Sequence, residues 1–125
     1  MLFLKQQVGK EGEDLAAEFL RKNGYKILGK NFRSHFGEID IIAQEKKTLC
    51  FVEVKTRHSQ KFGSPADAVS RQKQGKIIKT AIFYMNQKRL ENVDMRFDVV
   101  SVLFWKKEGL LQIEIIKNAF ESAEF

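Results

Sequence analysis

The sequence predicts an α/β fold in which two helices pack on one sheet. Three observations support this class: apolar residues at helical spacing near the N-terminus, several short segments of alternating apolar residues, and a second helical pattern between those segments. The predicted order of elements is α-β-β-β-α-β-β. Because the strands are interleaved with helices, we expect the helices to cover the sheet.

The first helix is predicted from about Lys10 to Asn23, and Gly24 follows as a C-terminal cap. Apolar residues recur in it at helical spacing, and acidic residues occupy the expected first turn, where the helix dipole favours negative charge. The apolar residues are Leu15, Ala16, Phe19 and Leu20, and the acidic residues are Glu11, Glu13 and Asp14.

Three extended segments follow the first helix. Tyr25 to Phe32 is a short strand interrupted by Gly29, whereas Gly37 to Gln44 and Thr48 to Lys55 alternate with period two. The polar sequence Glu45-Lys46-Lys47 between the last two segments predicts a hairpin loop.

A second helix is predicted to begin with Ser64 as N-cap and Pro65 in the first helical position, and to end near Lys88. Two further strands are predicted over Arg96 to Phe104 and Leu110 to Ile116. The buried stripe of the helix would contain Val69, Ile77, Ala81 and Met85.

Length and composition narrow the class of protein. The chain has 125 residues, of which 43% are apolar, so we expect one folded domain over residues 1–125 and exclude a disordered chain. The single cysteine, Cys50, is expected in the core, excludes an intrachain disulfide and fits a reducing compartment. No apolar run suits a signal peptide or a membrane span, so a soluble, cytoplasmic protein without a membrane partner is expected.

Positive charge is concentrated in one segment. The chain has 22 basic and 16 acidic residues, and the segment from Lys55 to Lys79 has seven basic residues and only one acid, Asp67, which accounts for the whole excess of +6. Such clustering suits a phosphate-binding surface and equally a solvated helix face. The seven are Lys55, Arg57, Lys61, Arg71, Lys73, Lys76 and Lys79.

The register of the middle hairpin determines which polar residues meet. If its loop contains two or four residues, Asp40 lies opposite Glu53 and Glu38 lies opposite Lys55, and all four side chains share one face. Glu38 and Lys55 would then form an ion pair. A loop of three or five residues would shift the parity and separate them.

Two carboxylates placed opposite each other are destabilising unless a cation lies between them. Mg²⁺ prefers carboxylate oxygens and completes its shell with water and substrate phosphate, so Asp40 and Glu53 are candidate ligands. Lys55, about 7 Å further along its strand, could stabilise developing charge on a phosphate.

These residues resemble a known nuclease signature. Asp40, followed on the next strand by Glu53-Val54-Lys55, resembles the PD-(D/E)xK motif, although Glu38-Ile39 stands where the motif has its proline. Longer strings are similar to the YraN family of small bacterial proteins, which is related to archaeal Holliday-junction resolvases. These strings are residues 37–43, residues 51–57, Gly12-Glu13 and Phe62-Gly63.

The resemblance extends from Gly9 to about Val100 and implies a restriction-endonuclease-like αβββαβ core, a mixed sheet flanked by two helices. It implies that Asp40, Glu53 and the Val54 carbonyl bind Mg²⁺ or Mn²⁺. It also implies that Lys55 is the catalytic lysine and that Glu13 lies near the metal; Glu13 has the alternative of an ordinary helix acid. Lys73, beside Gln72, matches a polar position on the second helix.

The expected function is therefore a metal-dependent endonuclease that acts on structured or branched DNA, with a homodimer as a fitting assembly for two-fold symmetric junctions. Two alternatives stay open: a non-catalytic DNA-binding module in a DNA-processing complex, and a scaffold whose basic patch meets an acidic protein. His35 and His58 are expected at the surface, and Trp105 at the rim of the sheet. The expected DNA-backbone contacts are Arg57, Lys61, Arg71, Lys73, Lys76 and Lys79.

Overall fold

A computed structural model of the chain describes residues 5–57, 69–105 and 110–121. The predicted order of elements is confirmed over these residues. The elements are α1 (Lys5–Lys22), β1 (Tyr25–Ser34), β2 (Gly37–Glu45), β3 (Thr48–Arg57), α2 (Arg71–Gln87), β4 (Met95–Trp105) and β5 (Leu110–Phe120).

The five strands form one mixed sheet in the order β1-β2-β3-β4-β5. All neighbouring strands are antiparallel except β3 and β4, which are parallel. A parallel pair requires a crossover connection, and the segment that contains α2 supplies it. The mixed sheet with two helices confirms the predicted α/β class and is consistent with a restriction-endonuclease-like core.

The helices cover opposite faces of the sheet, and each face has its own apolar core. Ala16, Ala17 and Leu20 of α1 are fully buried against one face. Ile77 and Ala81 of α2 are buried against the other face. Sheet residues of the α1 core include Ile41, Ala43, Cys50, Val52, Val100 and Val102, and those of the α2 core include Ile39, Ile42, Phe51, Phe97 and Val99.

The first helix begins earlier than predicted. It starts at Lys5 rather than Lys10, and no acidic residue lies in its first turn. The prediction was wrong because the apolar pattern becomes recognisable only at Leu15, whereas the preceding turns are polar. Glu13 therefore lies in the middle of α1, and the stabilisation of a first-turn acid by the helix dipole does not explain it.

The second helix begins at Arg71, after Ser70 as N-cap. The Ser70 hydroxyl accepts a hydrogen bond from the Lys73 N–H at 3.2 Å, and the extended backbone of Ser70 (φ −63°, ψ 158°) ends the preceding segment. Ser64 and Pro65 lie outside the described residues, but a helix continuous through residues 69 and 70 is excluded. Val69 is buried just before the helix, and Met85 packs at the edge of the α2 core.

Strand β1 is longer than predicted, and its ladder with β2 shifts register between Ile27 and Gly29, where the sequence predicted an interruption. Strand β5 likewise continues beyond Ile116 to Phe120. Among the described residues, no helix is long and apolar enough to cross a membrane.

Candidate active site

The carboxylate of Asp40 lies where strands β2 and β3 stop pairing regularly. Glu45 pairs with Thr48, so the loop holds two residues and meets the condition on which the register was predicted. Ile42 is opposite Phe51, and the ladder continues to Ile41 opposite Val52. Beyond that pair, the Val54 N–H donates to Oδ2 of Asp40 at 2.8 Å. A side chain therefore takes up an N–H that a regular ladder would give to a main-chain carbonyl.

Strand β2 changes face at this point. Ile39 belongs to the α2 core and Ile41 to the α1 core, although residues two apart in a regular strand share a face. On β1, Asn31 has a positive φ of 53° in the position facing Asp40. The two strands are thus irregular together, and the irregularity brings the Asp40 carboxylate toward β3.

The change of face separates Glu38 from Asp40. Oε2 of Glu38 lies 3.5 Å from Nε of Arg33, its neighbour in the β1–β2 register. The predicted common face for Glu38, Asp40, Glu53 and Lys55, with an ion pair between Glu38 and Lys55, is therefore wrong. Strict alternation does not apply across the irregular part of β2.

Glu53 is the other acid of the site and is only 5% exposed. It follows Phe51 at a spacing of two and therefore faces α2. Nζ of Lys73, in the first turn of α2, lies 2.8 Å from Oε1 of Glu53. The sequence predicted Lys73 as a contact to the DNA backbone, but its ammonium group lies in the carboxylate site.

Asp40 and Glu53 interact strongly. The pKa of Asp40 is raised to about 7, first because the carboxyl group is buried and second because the Glu53 charge is close. The hydrogen bond from Val54 lowers the pKa without cancelling these effects, and the Glu13 charge raises it further. The two carboxylates therefore act as one electrostatic unit, although the regular pairing of β2 with β3 ends before it would place Asp40 opposite Glu53.

Lys55 completes a group of two acids and two bases. Burial and the neighbouring ammonium of Lys73 lower the pKa of Lys55, while the charges of Glu53 and Asp40 oppose this effect. Lys55 is two residues from Glu53 on β3 and is half-buried. The cluster Asp40, Glu53, Lys55 and Lys73 has balanced formal charge when all four side chains are ionised.

Glu13 approaches this cluster from α1. Burial and the nearby Glu38 charge raise its pKa, and the amide nitrogen of Asn31, in its hydrogen-bonding orientation, lies 3.2 Å from Oε2 of Glu13 and 2.9 Å from Oε1 of Glu38. The sequence analysis did not identify Asn31. Its signal was an asparagine, a residue that tolerates positive φ, in the middle of a strand.

The donor set fits a hard divalent cation. Across residues 5–57, 69–105 and 110–121, no three His, Cys, Asp or Glu side chains are grouped so that they could hold an ion by themselves. The side-chain ligands that this site offers a cation are the carboxylates of Asp40 and Glu53, so the other ligands would be water or phosphate oxygens. Mg²⁺ commonly binds proteins through one or two carboxylates in this way.

Comparisons with known proteins identify the family. The model described as "Uncharacterised protein family UPF0102" matches residues 12–102. The chain belongs to the UPF0102 family. The expected YraN relationship is confirmed at this level, and the matched range includes Glu13, Asp40, Glu53, Lys55 and Lys73.

Curated relatives are similar in sequence to this chain over almost their whole length. A UPF0102 protein of Syntrophus aciditrophicus is 51% identical over 94% of this chain and 91% of its own. One of Caldicellulosiruptor saccharolyticus is 47% identical over 93% of this chain and 98% of its own. One of Clostridium perfringens is 45% identical over 92% of this chain and 94% of its own. The UPF0102 name states no activity, so any function must be argued from the site.

The remaining predicted site residues of this UPF0102 chain are dispersed. Arg71, Lys76 and Lys79 are exposed on α2, and Arg57 is half-buried at the end of β3. Lys61, His58 and the side chain of Trp105 lie outside the described residues. His35 is exposed, as predicted.

Cys50 is also where the sequence placed it. It is fully buried, and burial raises the pKa of its thiol to about 11. A neutral, inaccessible thiol is a core residue rather than a nucleophile.

Proposed function

We propose that this UPF0102 protein is a Mg²⁺- or Mn²⁺-dependent endonuclease that hydrolyses phosphodiester bonds in structured DNA. The observation that carries the proposal is the pair of close carboxylates, half-buried Asp40 and buried Glu53, flanked by Lys55 and Lys73. Two neighbouring acids in a buried position weaken a fold, and a divalent cation would relieve their repulsion.

The side chains have complementary tasks in this proposal. Asp40, Glu53 and the Val54 carbonyl would hold the cation, which when bound supplies Lewis acidity and charge neutralisation. Hydrolysis forms a bond from a water oxygen to phosphorus and breaks one phosphorus–oxygen ester bond. Lys55 would stabilise the negative charge that develops on the phosphate oxygens.

Exposed cations on α2 would bind the nucleic acid. Arg71, Lys76 and Lys79 lie on the same helix as Lys73, which contacts Glu53. Contacts to phosphates position a duplex without reading its sequence, so structure-dependent rather than sequence-dependent cleavage is expected. A homodimer would suit a two-fold symmetric junction such as those that resolvases cleave.

A specific contact favours a second candidate, a non-catalytic DNA-binding module. The Lys73 ammonium already neutralises Glu53 at 2.8 Å, so the site is charge-compensated without a metal. In that case, the cluster would serve to anchor α2 on the sheet, and the exposed cations alone would carry the function.

Titration calorimetry of Mn²⁺ separates the two candidates. The wild type should bind Mn²⁺ near one equivalent, Asp40→Asn should not bind, and Glu18→Gln, which alters an exposed acid of α1, should bind like the wild type. Cleavage of junctions, flaps and single strands would then be assayed with the same three proteins. Absence of binding by the wild type, with and without DNA, would contradict the endonuclease and leave the binding module.

A further inference from the structure

The turn between β1 and β2 presents two aromatic rings to solvent. Phe36 is 37% exposed, and its ring centroid lies 3.9 Å from that of His35 with the planes tilted by 38°. A single exposed apolar residue is ordinary on a protein surface. The two rings lie against each other, and the part of the Phe36 ring that stays exposed is apolar surface against which a further ring can stack.

The hairpin tip is fixed against helix α2. The Phe36 N–H donates to Oγ of Ser34 at 3.1 Å, and that hydroxyl lies 3.2 Å from Oγ1 of the buried Thr80. The His35 ring also contacts Phe83 edge-on, with centroids 6.1 Å apart. The rings are therefore held in place before any ligand binds, which lowers the entropic cost of binding.

Cations lie on both elements that meet at the hairpin tip, helix α2 and strand β1. Gly37 lies close against Lys76, since a Cβ on Gly37 would stand 3.3 Å from the Lys76 Cβ. Lys79 is exposed one turn further along α2, and Arg33 on β1 is 76% exposed. Exposed rings combined with cations are the usual composition of surfaces that bind single-stranded nucleic acid.

The tip and the proposed active site lie along the same strand. Phe36 precedes Asp40 by four residue steps, about 13 Å at the rise of a β-strand. Measured along the helix axis of B-DNA, this distance covers about four successive phosphates of one strand. Bases within a duplex are stacked on each other, so only unpaired bases a few nucleotides from the proposed cleaved phosphate could reach the rings.

We propose that His35 and Phe36 form a stacking platform for unpaired bases and so direct the protein to DNA in which single strands adjoin a duplex. The proposal rests on the proposed function, because it requires that this surface binds DNA. It specifies the substrate class: forks, flaps and open junctions rather than continuous duplex.

Fluorescence anisotropy in EDTA tests the platform without cleavage. The probes are a fluorescein-labelled single strand, a fork with single-stranded arms and a fully paired duplex. Phe36→Ala should weaken binding to the first two by about 5- to 100-fold, the loss expected for one stacked base, and leave duplex binding within about twofold. Phe36→Trp should retain binding, and Leu111→Ala, which removes a comparably exposed side chain on β5, should change nothing.

The dependence of DNA affinity on salt concentration distinguishes base stacking from electrostatic attraction to phosphates. Phe36→Ala should leave the slope of log affinity against log salt unchanged, whereas Lys79→Gln should reduce it by about 0.7 to 0.9. Equal losses for Phe36→Ala on single strands and duplex, or no loss beyond that of Leu111→Ala, would overturn the platform while DNA binding stands. If the wild type bound none of the three probes, the proposed function would fail together with the platform.

Discussion

The Lys73 ammonium group lies 2.8 Å from Oε1 of Glu53, a carboxylate that is 5% exposed. The contact joins the first turn of α2 to the centre of β3. It neutralises one of the two acids that are candidate ligands for a divalent cation. Lys73 and a cation would therefore compete for the same carboxylate.

Removing the Lys73 charge is expected to strengthen metal binding. Lys73→Gln should bind Mn²⁺ about fivefold more tightly than the wild type, since a partly exposed ion pair contributes at most about 1 kcal/mol. Lys76→Gln removes an exposed charge from the same helix and is the matched control, with no change expected. Calorimetric titration without nucleic acid measures all three proteins.

Two other results of this titration would contradict competition between Lys73 and the cation. If Lys73→Gln bound Mn²⁺ more weakly than Lys76→Gln, then Lys73 would organise the site rather than compete with the cation. Equal affinities for the two variants would show that Glu53 does not contribute to the bound state.

The raised pKa of Asp40 predicts a dependence of stability on pH. An aspartate in an unfolded chain titrates near 3.9, whereas Asp40 in the fold titrates near 7. Between these values, the folded state binds a proton that the unfolded state has lost, so stability falls as the pH rises through this window. Without metal, the Tm of the wild type should decrease more between pH 5 and pH 7.5 than the Tm of Asp40→Asn.

Differential scanning calorimetry in EDTA measures both proteins over that range. The comparison cancels the contributions of the other titrating groups, because these are common to both chains. Mn²⁺ at saturation should abolish the difference by binding the ionised carboxylate. Parallel Tm profiles for the two proteins in EDTA would contradict the coupling of Asp40 with Glu53.

Lys55 should affect the chemical step and not the binding of the metal. Lys55→Met is expected to lower the rate of phosphodiester cleavage about 10²- to 10³-fold, the usual loss when one group that stabilises transition-state charge is removed. Its Mn²⁺ affinity should be unchanged or higher, because a positive charge near the carboxylates is lost. Single-turnover cleavage and calorimetry measure the two effects separately.

A matched control for Lys55 lies at the other end of the same hairpin. Lys47→Met removes an exposed lysine from the turn between β2 and β3 and should cleave at the wild-type rate. If both variants lost activity equally, the cause would be the loss of one positive charge from the protein and not a specific role of Lys55. Retained activity in Lys55→Met would remove Lys55 from the mechanism.

The middle hairpin shows how far the sequence alone leads. The register was predicted on the condition of a two- or four-residue loop, and the observed two-residue loop meets it, as the pairing of Ile42 with Phe51 shows. The change of face at Asp40 could not be predicted. Ile39 and Ile41 look equivalent in the sequence, and only the packing of two helices on opposite faces assigns them to different cores.

Lys73 illustrates the same limit for the site. The charge pattern grouped it with Lys76 as a DNA-backbone contact, and only the family resemblance assigned it to a polar position on the second helix. Its contact with Glu53 depends on where α2 begins, and the sequence analysis took Ser64 as the N-cap, whereas the structure has Ser70. The start at Arg71 turns Lys73 toward β3.

A tight contact between α1 and the sheet also predicts a measurable effect. Gly12 is buried against β3, and a Cβ at this position would clash with Oγ1 of Thr56. Gly12→Ala should therefore destabilise the protein by about 1–2 kcal/mol, since overpacking costs up to about 3 and an alanine in a helix recovers up to about 1. Denaturant unfolding measures the change.

Two further variants make this test specific to the contact. In a Thr56→Ala background, the clashing atom is gone, so Gly12→Ala should become neutral or stabilising, and the double-mutant cycle should show a coupling of more than about 1 kcal/mol. Gly75→Ala in α2, where a Cβ would meet nothing within 4 Å, should stabilise by about 0.5–1 kcal/mol. Destabilisation by Gly12→Ala that persists without the Thr56 hydroxyl would show that the helix backbone, rather than this contact, requires glycine next to Glu13.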